Sequence, residues 1–420
     1  MTPSSPSRPP EDASADPASL DPNKVRLRRI TEVLPAKMKQ YGIDAWLTFT
    51  REGATDALGW DVAADRVVGR AACLFGFLGG RLTRIAICAS YDVTPFIESG
   101  LYEQVVPYKR EGIGPHLKEW LDKLDPRKVA INFSRDAPNI DGITLGMYRY
   151  LLEVAGTGFE ERLVSAEPLM MSVKGVKLPE EVAAIERAAV ATQRILREAL
   201  SLERITPGKT TELDVGRFLE QRTNDLGFKV SFISVVVGPD RGHADPTERV
   251  IAHGDLLRTD FGVFHQGYSS DIQRTAYLLR PGERQPPDAV RRMWDTTLRA
   301  NRAAIAAMKP GVQAVKVDAA ARKVIVDAGY DEYPHAAGHA IGVKVHDTGP
   351  VLGPDWKERY GTLVRHGLEE GQVFAVEPMI YHDLPEVGGV VQVGLEEDVV
   401  VERSGARVLG TPQTELWLLG

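Results

Sequence analysis

Three of the chain's nine histidines fall within twelve residues, His335-Ala-Ala-Gly-His339-Ala-Ile-Gly-Val-Lys-Val-His346, and Asp347 follows directly. Imidazoles at that density serve as metal ligands, proton carriers or substrate contacts, or they furnish a polar turn. Acidic partners decide between these readings. Asp260 and Asp271 flank FGVFHQGYSS, whose midpoint lies between His265 and Gln266. A hairpin about that midpoint sets the two carboxylates directly opposite, with Cβ atoms about 4.5–5.5 Å apart, where like charges repel unless a cation lies between them. Glu377 and Glu396 repeat the arrangement about Glu386-Val387, and their neighbours Phe374, Ala375, Val376, Val393 and Leu395 are apolar. Acidic residues on strands ordinarily face water, but two matched pairs on apolar strands do not fit that pattern. Such a cluster needs compensating cations. Carboxylates with one imidazole suit Mn²⁺, Co²⁺, Fe²⁺ or Zn²⁺. Four acids and one histidine suffice for two ions about 3.5–4 Å apart.

His339 is the expected ligand among the imidazoles, because Gly338 before it lets the backbone approach closely. His335 and His346 are then expected behind the ligands or facing substrate, with His243 as a further donor. For His116, His253, His265, His366 and His382 a structural role is expected, since nothing apolar or acidic in the sequence converges on them.

The elements that must position these groups fall into two parts, as a chain of 420 residues predicts. Residues 1–20, rich in Pro, Ser, Ala and Asp, are expected to form a disordered tail without the apolar stretch of a signal peptide. Asp21-Pro22 opens a helix that Gly42 ends. Short apolar runs (AWLTF, AACLFGFL, RIAICA, KVAINF) alternating with helical patterns predict an α/β domain over 21–165. Residues 166–178 read as a linker, and Pro179 opens a long amphipathic helix. Within 179–420, ITPGKTTELDVGRFLEQRTNDLGF from Ile205 is echoed by MKPGVQAVKVDAAARKVIVDAGY from Met308. Each copy leads to a histidine region and two β-rich runs, which predicts a pseudo-symmetric α+β domain with a site between its halves. The net charge of −7 argues against nucleic acid or an anionic membrane as partner, and no apolar run is long enough for a bilayer. Cys73 and Cys88 sit in apolar runs, as expected of core residues in a reduced, cytoplasmic protein.

With these motifs in hand, the sequence resembles the metal-dependent branch of the pita-bread metallopeptidases, the Xaa-Pro aminopeptidase and prolidase group, related also to methionine aminopeptidase and creatinase. The matching motifs are TDFG with Asp260, YSSDIQRT with Asp271, HAAGHAIG with His339, VEP with Glu377 and LEED with Glu396. The resemblance is strong over residues 175–420, and extends to the first domain only in size and texture. It implies that Asp260 chelates one metal and His339 with Glu377 the other, with Asp271 and Glu396 bridging. It implies attack on the scissile carbonyl by a hydroxide held between the metals, with Glu377 passing the proton to the leaving nitrogen. His243 and His346 would grip substrate or steady the tetrahedral intermediate, and His335 would line the leaving-group side. Arg274, on the strand face opposite Asp271, is expected to support the fold around the site.

The activity implied is hydrolysis of the bond before proline in a small peptide. An Xaa-Pro dipeptidase (prolidase) is favoured over an aminopeptidase for longer peptides, because the chain lacks obvious insertions. A metal-dependent hydrolase of a small non-peptide amide stays open, and a binding module without catalysis is disfavoured by the intact ligand set. Two positions leave the family's usual pattern: Met379 stands where VEP is usually followed by Gly, and Gly394 where an arginine usually precedes the last glutamate. The resemblance also implies a homodimer in which one subunit's N-terminal domain leans over the other's site. The stretch REGATDALGWDVAADR, with Arg51, Trp60 and Arg66, is a candidate lid or a plain surface loop.

Overall fold

The computed structural model describes residues 20–387 and 389–420, so the tail expected over 1–20 lies outside them save for Leu20. The Asp21 side chain accepts from the Asn23 N–H and caps the helix Pro22–Arg28. A π turn over Arg29–Val33 carries the chain into the helix Leu34–Tyr41, which stops at Gly42 with a left-handed φ of 62°. A six-stranded sheet follows, in the spatial order Gln104–Tyr108, Arg81–Ala89, Ala71–Leu78, Ala45–Thr50, Val129–Ile131, Leu163–Ser165. Its three middle strands pair antiparallel and its outer strands join parallel. Apolar clusters cover both faces, so the strands read as continuous apolar runs. Cys73 and Cys88 are free and buried, and burial pushes both thiols up to about 12, which leaves them unreactive.

The stretch 166–178 differs from the expected linker. It holds the helix Glu167–Val173, whose Leu169, Met170, Met171 and Val173 pack into the core beneath the first sheet. The apolar run LMMSV buries itself, where a linker would stay solvated.

The long helix Pro179–Ala199 packs on a sheet with spatial order Trp417–Leu419, Ile272–Leu278, Leu256–His265, Lys229–Val237, and Tyr268–Ser269 extends the hairpin tip. A second sheet runs Gly338–Ala340, Val373–Val376, Glu397–Glu402, Gly405–Val408, and Met379–Leu384 pairs with Gly389–Gly394 as a separate ribbon. The two echoed segments become the helices Glu212–Asp225 and Ala314–Asp327. Only the first carries a full capping box, Thr211 with Asp214. Each half builds one sheet, with the C-terminal strand Trp417–Leu419 crossing over to join the first, and the α/β first part and α+β second part stand as the patterns predict. No helix among the described residues is long and apolar enough to cross a membrane.

Candidate metal centre

The first acidic pair sits on the hairpin Leu256–His265 / Ile272–Leu278, in a register different from the expected one. Asp260 faces Gln273 across the strands, and Ile272 faces Phe261. The turn falls on Gln266 and Gly267, both with positive φ (51° and 86°), a two-residue hairpin turn whose twist matches the strands. That shifts the hairpin centre by one residue, so Asp271 lies diagonal to Asp260 on the same face and not directly opposite. Gly262 lets the strands close there, since a Cβ at that position would fall 2.2 Å from the Ser270 carbonyl oxygen.

The second pair keeps the expected register. The ladder from Val373↔Val400 to Val376↔Glu397 and the ribbon from Met379↔Gly394 to Leu384↔Gly389 share one alignment. Glu377 and Glu396 stand opposite each other in the gap between them. His339 comes in on the neighbouring short strand, paired with Ala375. A Cβ on Gly338 would lie 2.1 Å from the Ala375 carbonyl oxygen, so the close approach requires glycine.

These residues converge. Asp271, His339 and Glu396 each offer a ligand atom within 4.8 Å of the others. His339 Nε2 lies 3.4 Å from Asp271 Oδ2 and 3.8 Å from Glu377 Oε1. Asp260 joins through its contact with the Asp271 carboxyl. Burial, then the Asp260 charge, holds the Asp271 carboxyl well above the usual range. Burial, then Asp271 and Asp260, does the same to Glu396. Glu377 is pushed up to about 8, chiefly by burial and in part by Asp271 and Asp260, against the pull of His339. Crowding of this kind is what an added cation relieves. Asp260 Oδ1 and Glu396 Oε2 are buried without a hydrogen-bond partner. Acidic oxygens with one imidazole, two of them orphaned, fit divalent metal ions.

Neighbouring groups hold these side chains in place. His243 Nδ1 and Arg258 Nη1 stand 3.5 and 3.7 Å from Asp260 Oδ2, which leaves Oδ1 free. The Asp271 N–H donates to both oxygens of the buried Asp398, at 3.3 and 3.2 Å. Arg274 points away from the cluster as expected, donating to the Glu396 carbonyl at 2.7 Å and the Glu397 carboxylate at 2.9 Å. Arg258, Gln273 and Asp398 were missed in the sequence. Arg258 had a signal, since it precedes Asp260 by two and so shares its strand face.

Of the remaining imidazoles, the His346 ring lies 4.2 Å from that of His339. The His339 charge, then burial, lowers His346 to about 4, so it is neutral at pH 7. Its loop is tied down from both sides: Asn139 donates to the His346 carbonyl at 2.9 Å, and Lys177 pairs with the buried Asp347 at 3.1 Å. Burial lowers His335 to about 4 as well. Its Nδ1 bonds the Ala336 carbonyl at 2.7 Å, which makes Nδ1 the protonated nitrogen and leaves the buried Nε2 as an acceptor without a protein partner. His243 is exposed, and its hydrogen bond to Asp260 raises its pKa. The five other histidines stay outside the cluster, although two have acidic partners the sequence did not show: Glu111 for His116 at 3.2 Å and Glu167 for His366 at 3.4 Å. In the stretch 51–66, Leu58 and Val62 are buried, and the Arg26 guanidinium lies 4.1 Å over the Trp60 ring. It is a loop packed down by its own side chains.

A mixed α/β domain followed by two echoed α+β halves, with a carboxylate–imidazole cluster between them, defines a metallopeptidase of the pita-bread fold. The model of metallopeptidase family M24 matches residues 183–403, more than half of the chain, and the chain belongs to that family. Among curated relatives, the Xaa-Pro dipeptidase of Pyrococcus horikoshii is 28% identical over 274 residues, 64% of this chain and 72% of the relative. The Xaa-Pro dipeptidase of Pyrococcus furiosus is 30% identical over 255 residues, 60% and 67% of the two chains. Among solved structures, dipeptidase PepE from Mycobacterium ulcerans superposes with a TM-score of 0.72 at 24% identity, covering 94% of this chain and 98% of that one. The prolidase from Pyrococcus horikoshii gives 0.65 at 22% identity, over 93% and 99%.

Proposed function

We propose that the protein hydrolyses the bond before proline in Xaa-Pro dipeptides, with Asp260, Asp271, His339, Glu377 and Glu396 holding two divalent ions, Mn²⁺ in the first instance. The observation that carries this reading is the buried cluster itself, whose acids are displaced upward in pKa and whose Asp260 and Glu396 keep one oxygen each without a partner. The names of the two Pyrococcus relatives support the substrate class. Bound divalent ions supply Lewis acidity and lower the pKa of water they hold.

The chain's own groups do the rest. Glu377, buried beside Asp271 and His339, is the carboxyl placed to serve the attacking water and then the leaving nitrogen. His346, neutral and fixed by the Asn139 and Lys177–Asp347 contacts, offers an N–H to developing negative charge without repelling cations beside it. His243, its pKa raised by Asp260, adds a second donor at the open edge. His335 Nε2, an acceptor without a protein partner, would receive a hydrogen bond from the departing amine on the leaving-group side.

We take residues 21–165 and 179–420 as two domains of a homodimer that works in the cytoplasm; the free, buried cysteines support the compartment. Turnover on Xaa-Pro dipeptides, Xaa-Pro-Yaa tripeptides and small amides, after loading with Mn²⁺, tests the reading. Cleavage of the dipeptides is expected, and no release from any proline substrate would refute it. Light scattering on the purified chain tests the dimer, and a mass of one protomer would reject it.

A further inference from the structure

The two positions at which this chain leaves the family's usual pattern are partners in the structure: Met379 and Gly394 face each other in the ribbon beside the cluster. The room over Gly394 is occupied. A Cβ there would fall 1.8 Å from Gln273 Oε1 and 3.5 Å from Met379 Cβ. The Thr275 hydroxyl fixes the glycine backbone, donating to its carbonyl at 2.8 Å and accepting from its N–H at 3.3 Å. Gln273 is fully buried. Its Nε2 donates to Asp260 Oδ2 at 3.5 Å, while its main-chain carbonyl accepts the Glu396 N–H at 3.3 Å. One residue therefore spans the cluster, with its amide on the first half's Asp260 and its backbone on the second half's Glu396.

Gln273 Oε1 has no hydrogen-bond partner. An apolar side chain of similar size would fill the room over Gly394 without leaving a buried carbonyl unpaired, so packing alone does not call for an amide. The N–H on Asp260 does. With His243 and Arg258 on the same Oδ2, that N–H fixes the carboxylate so that Oδ1 is the oxygen left free.

We infer that Gln273 is a positioning residue for Asp260, and that position 394 is glycine to make room for it. The unit Gln273–Gly394–Met379 thereby sets a neutral amide donor against the cluster from the hairpin. This rests on the reading of Asp260 as a metal-holding carboxylate.

Titrating Mn²⁺ into the chelator-stripped full-length protein by calorimetry tests the inference independently of activity. Gln273→Met keeps the volume and removes the N–H, and Mn²⁺ is expected to bind roughly 10–100-fold more weakly. Gly394→Ala pushes the amide off Asp260 and is expected to weaken binding by a similar factor. Because both changes act through one contact, the double variant should bind within about two-fold of Gln273→Met alone. Mn²⁺ affinity of Gln273→Met within about two-fold of the parent would overturn the inference, as would factors that multiply in the double variant. A purely structural Gln273 would lower the thermal midpoint of the metal-free protein and leave Mn²⁺ affinity unchanged. Gln273→Ala carries the same expectation if the methionine variant does not fold. A parent protein that takes up no Mn²⁺ would defeat the metal reading itself, whereas parent binding with an indifferent Gln273→Met defeats only this inference.

Discussion

Stripping the metal and raising the pH should weaken this fold, the reverse of what most acid-rich proteins do. Glu377 titrates at about 8 in the folded, metal-free cluster against an ordinary 4.5. A carboxyl raised on folding stabilises fully below its unfolded value, and that contribution is lost as pH rises through the folded one. The full displacement, 8 − 4.5, at about 1.4 kcal/mol per unit sets a ceiling of about 5 kcal/mol. Between pH 6.5 and about 8.5 the linkage relation makes the loss about 2 kcal/mol, or ~4 °C in thermal midpoint at ~2 °C per kcal/mol. Asp271 and Glu396 are displaced in the same direction and add to it. The window starts at 6.5 because His335 and His346, lowered to about 4 from 6.5, give the opposite slope only below that value. Mn²⁺ reverses the trend, because binding must displace the cluster's protons. At a concentration of about 100 Kd at pH 8 it contributes ~2.7 kcal/mol, or ~5 °C. Displacing one proton from a group at about 8 lowers affinity about 16-fold between pH 8 and pH 6.5, which leaves about 1 kcal/mol, or ~2 °C. Differential scanning fluorimetry with EDTA or Mn²⁺ across that window reads both slopes. A metal-free midpoint that is flat or rises with pH, or a Mn²⁺ increment independent of pH, would refute the reasoning.

Glu377→Ala should abolish turnover by removing a ligand together with the proton carrier; steady-state kinetics within a few-fold of the parent would contradict the assignment. His346→Ala should keep its metal, measured by elemental analysis, and lose roughly 10²-fold in kcat, the cost of one intermediate-stabilising donor. Loss of metal instead would place His346 among the ligands. Arg274→Met strands the buried Glu397 carboxylate without its cation. The expected loss of about 3–5 kcal/mol, or ~6–10 °C, is read from the thermal midpoint, and an unchanged midpoint would remove Arg274 from its supporting role.

How far the site could be read in advance follows from what spacing encodes. The Glu377–Glu396 register was legible because both flanking ladders run unbroken in one alignment, so one midpoint serves them all. The Asp260–Asp271 register was not, because it turns on the backbone of Gln266, a residue with no special preference for positive φ. Gly338 was legible as a close-approach glycine, whereas Gly394 read as a loss until Gln273 was seen over it. A contact between residues 121 positions apart leaves no periodic trace. The helix Glu167–Val173 was hidden by its shortness and its Pro and Gly neighbours, although its apolar run signalled burial. Tautomers such as that of His335 depend on a single carbonyl and could not be read at all.

The interrupted ladder has a bearing on how the protein matures. Its gap receives His339 from one strand and sets Glu396 against an aspartate of the other half, so the pocket exists only once the final strands have closed over it. A partly synthesised chain ending before residue 396 would present loose acids with no shape to select an ion. A metal centre built on these residues would therefore form only after both halves have met.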